Sequence, residues 1–352
     1  MCTDLPIWQK SLISINNSAT FHKFSVYLGS STISRFHWIF RPALRRQSPG
    51  NIDPVATFKA VAANSPSFRH FSLDQVVRSV PERIVLRGVL DGTPIYVKQL
   101  LGRDAHQRIC AMMAELDFSV ARMNDSDSRV AGYVAADASA GLIALQVAPG
   151  RPMDAAIRLA NSQRREQLLG MCGTWLTRYT RLRPRTVQFD AGRMLGSQLN
   201  PAGISNPEDR DRWQQLAAWQ AKRITDLKGI KLRTAASHGY FHPSNLRVKG
   251  RTIHAFDIEG ETWMPILRDC VTFLLHVQDH QPQIEAASHM GVTAGCARPF
   301  LSALDLSNDE REQLLPLFMA RRMNNALVRR QGRPKILHFA RCVTDNLLRE
   351  LL

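Results

Sequence analysis

Short apolar stretches, separated by polar residues and turn signals, recur along the first half of the chain. Two of them, Arg83–Leu90 and Thr93–Leu100, are joined by Asp91-Gly92, a pair that favours a tight hairpin turn. Apolar residues at helical spacing across 103–123 predict a helix. Two further strands are predicted at 130–134 and 141–147, before Pro149-Gly150 ends the pattern. This half therefore predicts a β-rich unit with one long helix.

The second half of the chain has mostly helical spacing. Apolar positions predict helices over 164–182 and 205–227, and the second begins with residues typical of a helix N-terminus. Glycines and prolines interrupt residues 188–204, where we expect a loop on the substrate side. A further helix is predicted from residue 265, and the remainder of the chain is predicted to be helical.

Residues 237–259 differ from their helical surroundings. Leu246 and Val248 alternate with charged residues, a turn follows, and the next apolar run ends at Asp257. Asn245 and Asp257 are therefore expected at the ends of two neighbouring strands. Amide and carboxylate oxygens in such a place suit Mg²⁺, with phosphate oxygens completing its coordination.

Composition limits the class of protein. The chain has 352 residues, 44% hydrophobic and 22% charged, which is enough for a large core and two lobes. No apolar run reaches the length of a membrane span, so no transmembrane segment is expected. Six scattered cysteines without metal-binding spacing indicate a reducing compartment, and we expect a cytoplasmic protein.

The formal net charge is +16, which favours anionic partners such as nucleotides, anionic metabolites or lipid headgroups. A scattered, solvated arginine surface is the alternative explanation. The same two interpretations apply to the basic clusters 321–322, 329–330 and 333–335: a solvated helix face, or a rim for an anionic substrate or a peripheral membrane contact. No zinc-finger or RNA-binding aromatic motif is found, so nucleic acid is not an expected partner.

Residues 1–60 are basic and rich in serine, with no acidic residue between Asp4 and Asp53. Three interpretations remain open: a targeting segment, a poorly ordered extension, or an upstream extension outside the functional domain. We expect a poorly ordered extension.

The stretch 238–259 resembles the catalytic loop and metal-binding strand of the kinase-like phosphotransferases, which include aminoglycoside phosphotransferases and choline kinases. The matching positions are His238, Gly239, His242, Pro243, Asn245, Asp257 and Glu259. The resemblance implies an α+β, two-lobed protein-kinase-like fold. It would have a β-rich N-lobe at 61–148 and a mainly helical C-lobe at 149–352, with the catalytic-type loop at 238–245 and the metal strand at 253–259.

The resemblance also implies transfer of a phosphoryl group from ATP, with Mg²⁺, to a hydroxyl of a metabolite or anionic acceptor. In that family the strand lysine contacts the nucleotide phosphates and a helix glutamate holds the lysine; Lys98 and Glu115 occupy these places. Gln146 and Val147 fall at the hinge that meets the adenine. Asn245 and Asp257 are the implied metal ligands, and Asp269 is expected to brace the loop around His238.

The chain departs from the family pattern at the position of the catalytic aspartate, which is Tyr240. The catalytic candidates are thus Tyr240 and His238, and we expect His238 mainly to tie the loop backbone. A neutral tyrosine is a poor base, and losing a positioned base costs roughly 10²–10⁴-fold in rate. Glu259 and Glu261 are nearby substitutes. The alternative is a pseudokinase that binds nucleotide or a protein partner without transfer.

One further departure concerns the loop that covers the nucleotide phosphates in the family. It would fall at residues 80–88, which contain one glycine, Gly88. We therefore expect loose or absent cover over the phosphates.

Overall fold

A computed structural model describes residues 53–279 and 287–352. The N-lobe begins with α1 (Pro54–Ala62) and is built on a five-stranded antiparallel sheet in the order β1-β2-β3-β6-β5. Its remaining elements are β1 (Phe71–Val80), β2 (Arg83–Leu90), β3 (Thr93–Leu100), α2 (Ala105–Met123), β4 (Ser128–Val130), β5 (Tyr133–Asp137) and β6 (Leu142–Gln146).

The hairpin of β2 and β3 has the predicted bounds. Asp91 and Gly92 both have positive φ, +48° and +79°, the conformation of a two-residue hairpin turn that matches the twist of the strands. β3 lies at the centre of the sheet, so its Lys98 is paired in register with Val85 on one side and Ile143 on the other. A charged side chain is thereby placed inside an otherwise apolar sheet.

The N-lobe starts earlier than the sequence predicted. Asp53 caps α1 by accepting hydrogen bonds from Val55 N and Ala56 N, and Phe58 and Ala62 are buried in the apolar core of the sheet. The predicted extension at 1–60 therefore overlaps a helix that belongs to the lobe. The rest of that extension, residues 1–52, lies outside the described residues.

The C-lobe is mainly helical. Its elements are β7 (Arg151–Pro152), α3 (Met153–Leu159), α4 (Ser162–Arg181), β8 (Pro184–Gln188), α5 (Ala191–Met194), α6 (Pro207–Asp226), β9 (Lys231–Ser237), β10 (Leu246–Lys249), β11 (Thr252–Ala255), β12 (Thr262–Pro265), α7 (Leu267–Asp279), β13 (Ser288–His289), β14 (Val292–Thr293), α8 (Ala294–Ser302), α9 (Leu315–Arg329) and α10 (Pro334–Leu351). One apolar core runs through this lobe and continues into α2 of the N-lobe.

A four-stranded sheet, in the order β4-β11-β10-β7, connects the lobes next to the motif-bearing residues. β4, which follows α2, pairs in parallel with β11, and β7 pairs with β10. Gly150 of the predicted hinge has φ +99°, and a Cβ there would lie 2.3 Å from the Val248 carbonyl oxygen. Only glycine allows this close approach of the hinge to β10.

Two predicted elements differ from the structure. The strand at 130–134 is two strands, β4 and β5, because β4 joins the lobe-connecting sheet and β5 the N-lobe sheet. Residue 265 ends β12, which pairs with β9, so the predicted helix begins at Leu267. No helix within the described ranges is long and apolar enough to cross a membrane.

Candidate active site

One carboxylate, from α7, holds the catalytic-type loop in place. Asp269, in the first turn of α7 and 1% exposed, accepts hydrogen bonds from Ser237 Oγ (2.5 Å), Gly239 N (2.9 Å) and Phe241 N (3.1 Å). Three donors around one buried carboxylate fix the backbone on both sides of Tyr240. The expected bracing role of Asp269 is confirmed.

His238 is fully buried and has a backbone role. Its ring Nε2 lies 3.0 Å from the Phe256 carbonyl oxygen, which only accepts, so Nε2 carries the proton and donates it. Trp175 and Phe241 contact the ring edge-on at centroid distances of 6.1 and 5.8 Å. His238 therefore ties the loop to the strand end before Asp257, as expected, and lies away from solvent.

Asp257 and Lys98 meet across the two lobes. Asp257 follows β11 in the left-handed conformation, with φ +67°, which is unusual for a residue other than glycine. Its Oδ1 lies 2.5 Å from Lys98 Nζ, and both side chains are almost completely buried. The strained backbone and the buried ion pair together fix the direction of this carboxylate.

Glu259 extends this contact into a buried charge network. Its Oε1 lies 3.0 Å from Lys98 Nζ and 2.8 Å from Arg83 Nη1, and its Oε2 lies 3.8 Å from Arg108 Nη2. Arg83, at the start of β2, is fully buried. Glu259 is therefore engaged by three cations and is poorly suited to act as a substitute base.

Glu115 does not hold Lys98, so this part of the prediction is wrong. Glu115 is buried on α2, where its carboxylate contacts Arg183 Nη2 at 2.6 Å, Tyr179 OH at 2.7 Å and Ser119 Oγ at 3.1 Å. The reason is that Asp257 and Glu259 already occupy the lysine, whereas Arg183 and Tyr179 from the C-lobe reach the glutamate. Glu115 thus joins the lobes and does not position Lys98.

The burial of the Glu115 network has an electrostatic consequence. The pKa of Tyr179 is raised well above its ordinary value, first by burial and then by the negative charge of Glu115. Tyr179 is therefore protonated over the whole physiological range and serves as a hydrogen-bond donor to Glu115.

Asn245 and Asp257 lie next to the paired ends of the neighbouring strands β10 and β11, as the sequence predicted. Asn245 is fully buried, its carbonyl oxygen accepts from Phe256 N (3.1 Å), and its Nδ2 donates to the Tyr240 carbonyl oxygen (3.2 Å). The amide oxygen of Asn245 and the carboxylates of Asp257 and Glu259 are the hard ligands that Mg²⁺ prefers beside nucleotide phosphates. No cluster of three metal-binding His, Cys, Asp or Glu side chains occurs among the described residues. These residues thus fit a metal ion that takes most of its ligands from phosphates and water.

The hinge and the phosphate-covering turn flank this network. At the hinge, Gln146 pairs in register with Ile95 of β3, its backbone N donates to the Gly132 carbonyl oxygen, and its side-chain Oε1 accepts from Gly132 N. Val147 follows it, half-buried.

Between β1 and β2, where the family has a glycine-rich loop, the chain has the two residues Pro81 and Glu82. A turn this short is consistent with the expected loose cover.

Tyr240 lies at a cavity of about 570 Å³ on the C-lobe side of the loop. Its ring contacts the His242 ring edge-on at 4.8 Å between centroids, and the His242 ring stacks on that of His276 at 4.3 Å. Among the lining residues, Arg193 and Leu195 come from the predicted substrate-side loop, and Glu261 supplies a carboxylate. The cavity is within the size range of sites for small molecules.

Arginines dominate the charge of this cavity. Arg193, Arg268, Arg321 and Arg322 line it, and Arg330 is the C-terminal cap residue of α9, the helix that carries the last two. Burial lowers the pKa of Arg322 to about 9; the charge of Tyr240 opposes this shift and that of Arg268 adds to it. Burial likewise lowers the pKa of Arg330 to about 10. Both guanidinium groups therefore keep their charge at neutral pH.

The solvated-face interpretation of these basic clusters is wrong for two of the arginines. Arg321 is 8% exposed, with Nε donating to Gln220 Oε1 at 3.0 Å, and Arg330 is 3% exposed. The spacing of arginines along α9 gave no sign of this, because both faces of the helix pack against neighbouring elements. Burial on a densely packed helix cannot be inferred from charge alone.

Sequence reasoning missed two residues of the candidate site. Arg83 was assigned only to a strand, yet it is buried against Glu259; an arginine beginning an apolar run was its one visible signal. Arg183 pairs with Glu115 and also with Glu261 at 3.2 Å. Nothing in its sequence surroundings pointed to this bridge.

The chain is similar to known proteins in its structure. No protein-family model matches the sequence, and no curated protein matches it. Amicoumacin kinase hAmiN, solved with AMP-PNP, Ca²⁺ and Ami, is similar with a TM-score of 0.52 and 16% identity, over 84% of this chain and 94% of that one. Aminoglycoside phosphotransferase APH(4)-Ia is similar with a TM-score of 0.53 and 10% identity, over 84% and 98%. The predicted α+β architecture is thus confirmed, and the chain has the two-lobed fold of the kinase-like phosphotransferases.

Proposed function

We propose that the chain is a nucleotide- and divalent-metal-dependent phosphotransferase that passes a phosphoryl group to the hydroxyl of a small molecule. The observation that carries this proposal is the contact between buried Lys98 and Asp257, one residue from each lobe, directly beside Asn245 and the braced loop. This geometry suits charge neutralisation of a transferring phosphoryl group, which is the main requirement of such reactions.

In the proposed reaction, the acceptor hydroxyl oxygen forms a bond to the γ-phosphorus of ATP. The bond between that phosphorus and the oxygen bridging to the β-phosphate breaks, and ADP leaves. Lys98 would exchange part of its contact with Asp257 for phosphate oxygens. Asn245 and Asp257 would hold Mg²⁺, which supplies further positive charge to those oxygens. The hydroxyl proton leaves to Glu261 or to water, because Tyr240 is a weak base.

The similarity to amicoumacin kinase and APH(4)-Ia supports the class of reaction through the fold. Amicoumacin kinase was solved with AMP-PNP, and a thermostable variant of APH(4)-Ia was solved with AMP-PNP and hygromycin B, with a TM-score of 0.54. An ATP-type nucleotide between the lobes of this chain is the corresponding expectation, with the adenine at Gln146 and Val147.

The experiment is calorimetric titration with ATP, with and without Mg²⁺, followed by measurement of ADP formation with a panel of hydroxyl-bearing metabolites. Binding should require Mg²⁺ and should be lost in Asp257→Asn. Asp211→Asn is the matched control, since Asp211 is an exposed carboxylate on α6. Absence of Mg²⁺-dependent binding by the wild type would remove both the enzyme and any nucleotide-binding function.

A pseudokinase is the second candidate, and two observations favour it. Tyr240 stands at the position of the catalytic aspartate, and Lys98 is already paired with two carboxylates. Such a protein would bind the nucleotide and produce no ADP with any acceptor. ADP formation that depends on an acceptor would exclude this candidate.

A further inference from the structure

The cavity beside Tyr240 has an unusual balance of charge. Four arginines line it, and the lining contains one carboxylate, Glu261. That carboxylate is already paired, because its Oε1 lies 3.2 Å from Arg183 Nη1. The cavity wall therefore carries an excess of positive charge facing a space large enough for a small molecule.

A buried neighbour strengthens the argument. Arg330 is 3% exposed, and within the described part of the chain its Nε and Nη2 have no hydrogen-bond partner. Its pKa is lowered by burial first and then by the positive charges of Arg333 and Arg329, whereas Tyr240 raises it. Arg322 lines the cavity, and Arg330 is the C-terminal cap residue of the helix that carries Arg322.

Burying a guanidinium group such as that of Arg330 without a matching anion is costly, and a ligand that supplies negative charge nearby offsets this cost. The guanidinium fork binds carboxylate and phosphate oxygens through paired, charge-assisted hydrogen bonds. A cationic ligand would meet repulsion from the same groups.

We infer that this cavity binds an oxyanion, and that the phosphoryl acceptor is a hydroxyl compound carrying a phosphate or carboxylate group held by Arg268, Arg321 and Arg322. The inference about the acceptor rests on the proposed phosphotransferase function. The inference about the oxyanion rests on the cavity itself. Arg193, on α5, also lines the cavity and adds to its positive charge.

The test uses inorganic phosphate as the probe, because it needs no knowledge of the acceptor's carbon skeleton. The full chain, saturated with AMP-PNP and Mg²⁺ to fill the nucleotide site, is titrated with phosphate by calorimetry at constant ionic strength, with chloride as reference. We expect saturable binding of one phosphate. Arg322→Gln and Arg268→Gln should each weaken it by at least about tenfold, since hydrogen bonds to charged groups are the strong ones.

Two controls and a second test variant keep the result interpretable. Arg178→Gln removes the same charge from an exposed position on α4 and should leave phosphate binding unchanged. Arg268 is itself exposed, so Arg268→Gln tests the cavity even if the half-buried Arg322 cannot be replaced without unfolding. Glucosamine, a cationic hydroxyl compound, should bind more weakly than phosphate.

The inference is overturned if the wild type shows no saturable phosphate binding beyond that of chloride, if the Arg268 and Arg322 variants bind phosphate as the wild type does, or if glucosamine binds more tightly. Failure of the proposed function gives a different result. In that case the wild type binds no AMP-PNP but still binds phosphate. If this phosphate binding is lost in Arg268→Gln and kept in Lys98→Met, the oxyanion cavity stands and the phosphotransferase function is rejected.

Discussion

The loop around Tyr240 separates two charged regions that differ in how their cations are compensated. On one side, which is the proposed nucleotide side, Lys98 and Arg83 are buried against Asp257 and Glu259 at distances of 2.5–3.0 Å. On the other side, the cavity arginines outnumber the carboxylates, and buried Arg330 has unpartnered nitrogens within the described residues.

The difference shows in which region the protein itself compensates its buried charges. The nucleotide side satisfies its own charges and would have to give up an ion pair to take a phosphate. The cavity side has more arginines than carboxylates in its lining, and the oxyanion that we infer there would balance this excess. Removing one member of a matched buried pair destabilises a protein, whereas removing an unmatched buried charge relieves it. The two regions are thus expected to respond to substitution with opposite signs.

The largest effect is expected from Asp257→Ala. Lys98, which is fully buried, would keep only Glu259, and that carboxylate is shared with Arg83. Breaking a buried pair in this way costs about 3–5 kcal/mol of unfolding free energy. Urea denaturation measures it, with Asp211→Ala at an exposed site as the control. A loss below about 1 kcal/mol would mean that the network does not hold the lobes together.

Asp269→Ala should follow closely. The substitution leaves Ser237 Oγ, Gly239 N and Phe241 N without their common acceptor in a buried place. Each unsatisfied buried group costs about 1–3 kcal/mol, and relaxation of the loop offsets part of the sum, so we expect a loss of roughly 2–4 kcal/mol.

The denaturation midpoint of the Asp269 variant should fall without a change in slope. Asp305→Ala removes a carboxylate whose ion pair with Arg181 is largely exposed and should cost less than about 1 kcal/mol. Equal losses for the two variants would contradict the bracing role.

Tyr240→Asp tests the residue that lies between the two regions. It restores the carboxylate that the resembled family has, next to the cavity arginines. If the site is an enzyme limited by its base, ADP formation with an accepted substrate should rise by about 10²-fold. Tyr240→Phe, which removes only the hydroxyl, should not produce this gain. Unchanged turnover in Tyr240→Asp, with AMP-PNP binding intact, would show that the base is not what limits transfer.

Contacts between residues that are close in the sequence could be predicted, whereas contacts between distant residues could not. The β2–β3 hairpin follows from two short apolar stretches and the Asp91-Gly92 turn, which are local signals, and its bounds were predicted correctly. The adjacency of Asn245 and Asp257 also followed, because a short hairpin joins them. The partner of Lys98 did not follow, since Asp257 is 159 residues away and competes with Glu115. Pairing among buried charges is decided by packing between lobes, which spacing along the chain does not encode.

The smallest effect, and the one most specific to the comparison, is expected from Arg330→Met. Methionine fills similar apolar space without a charge, so the variant should be more stable than the wild type by about 1 kcal/mol. Arg83→Met is the matched contrast, because Arg83 is equally buried but holds Glu259 at 2.8 Å, and it should lose stability. Urea denaturation of both variants, without and with added phosphate, measures the difference.

If phosphate occupies the cavity, it should stabilise the wild type more than Arg330→Met, because the ligand binds only the folded state and Arg330 adds to its attraction. Loss of stability in Arg330→Met without phosphate would show that Arg330 is compensated within the protein, and the contrast between the two regions would then not hold.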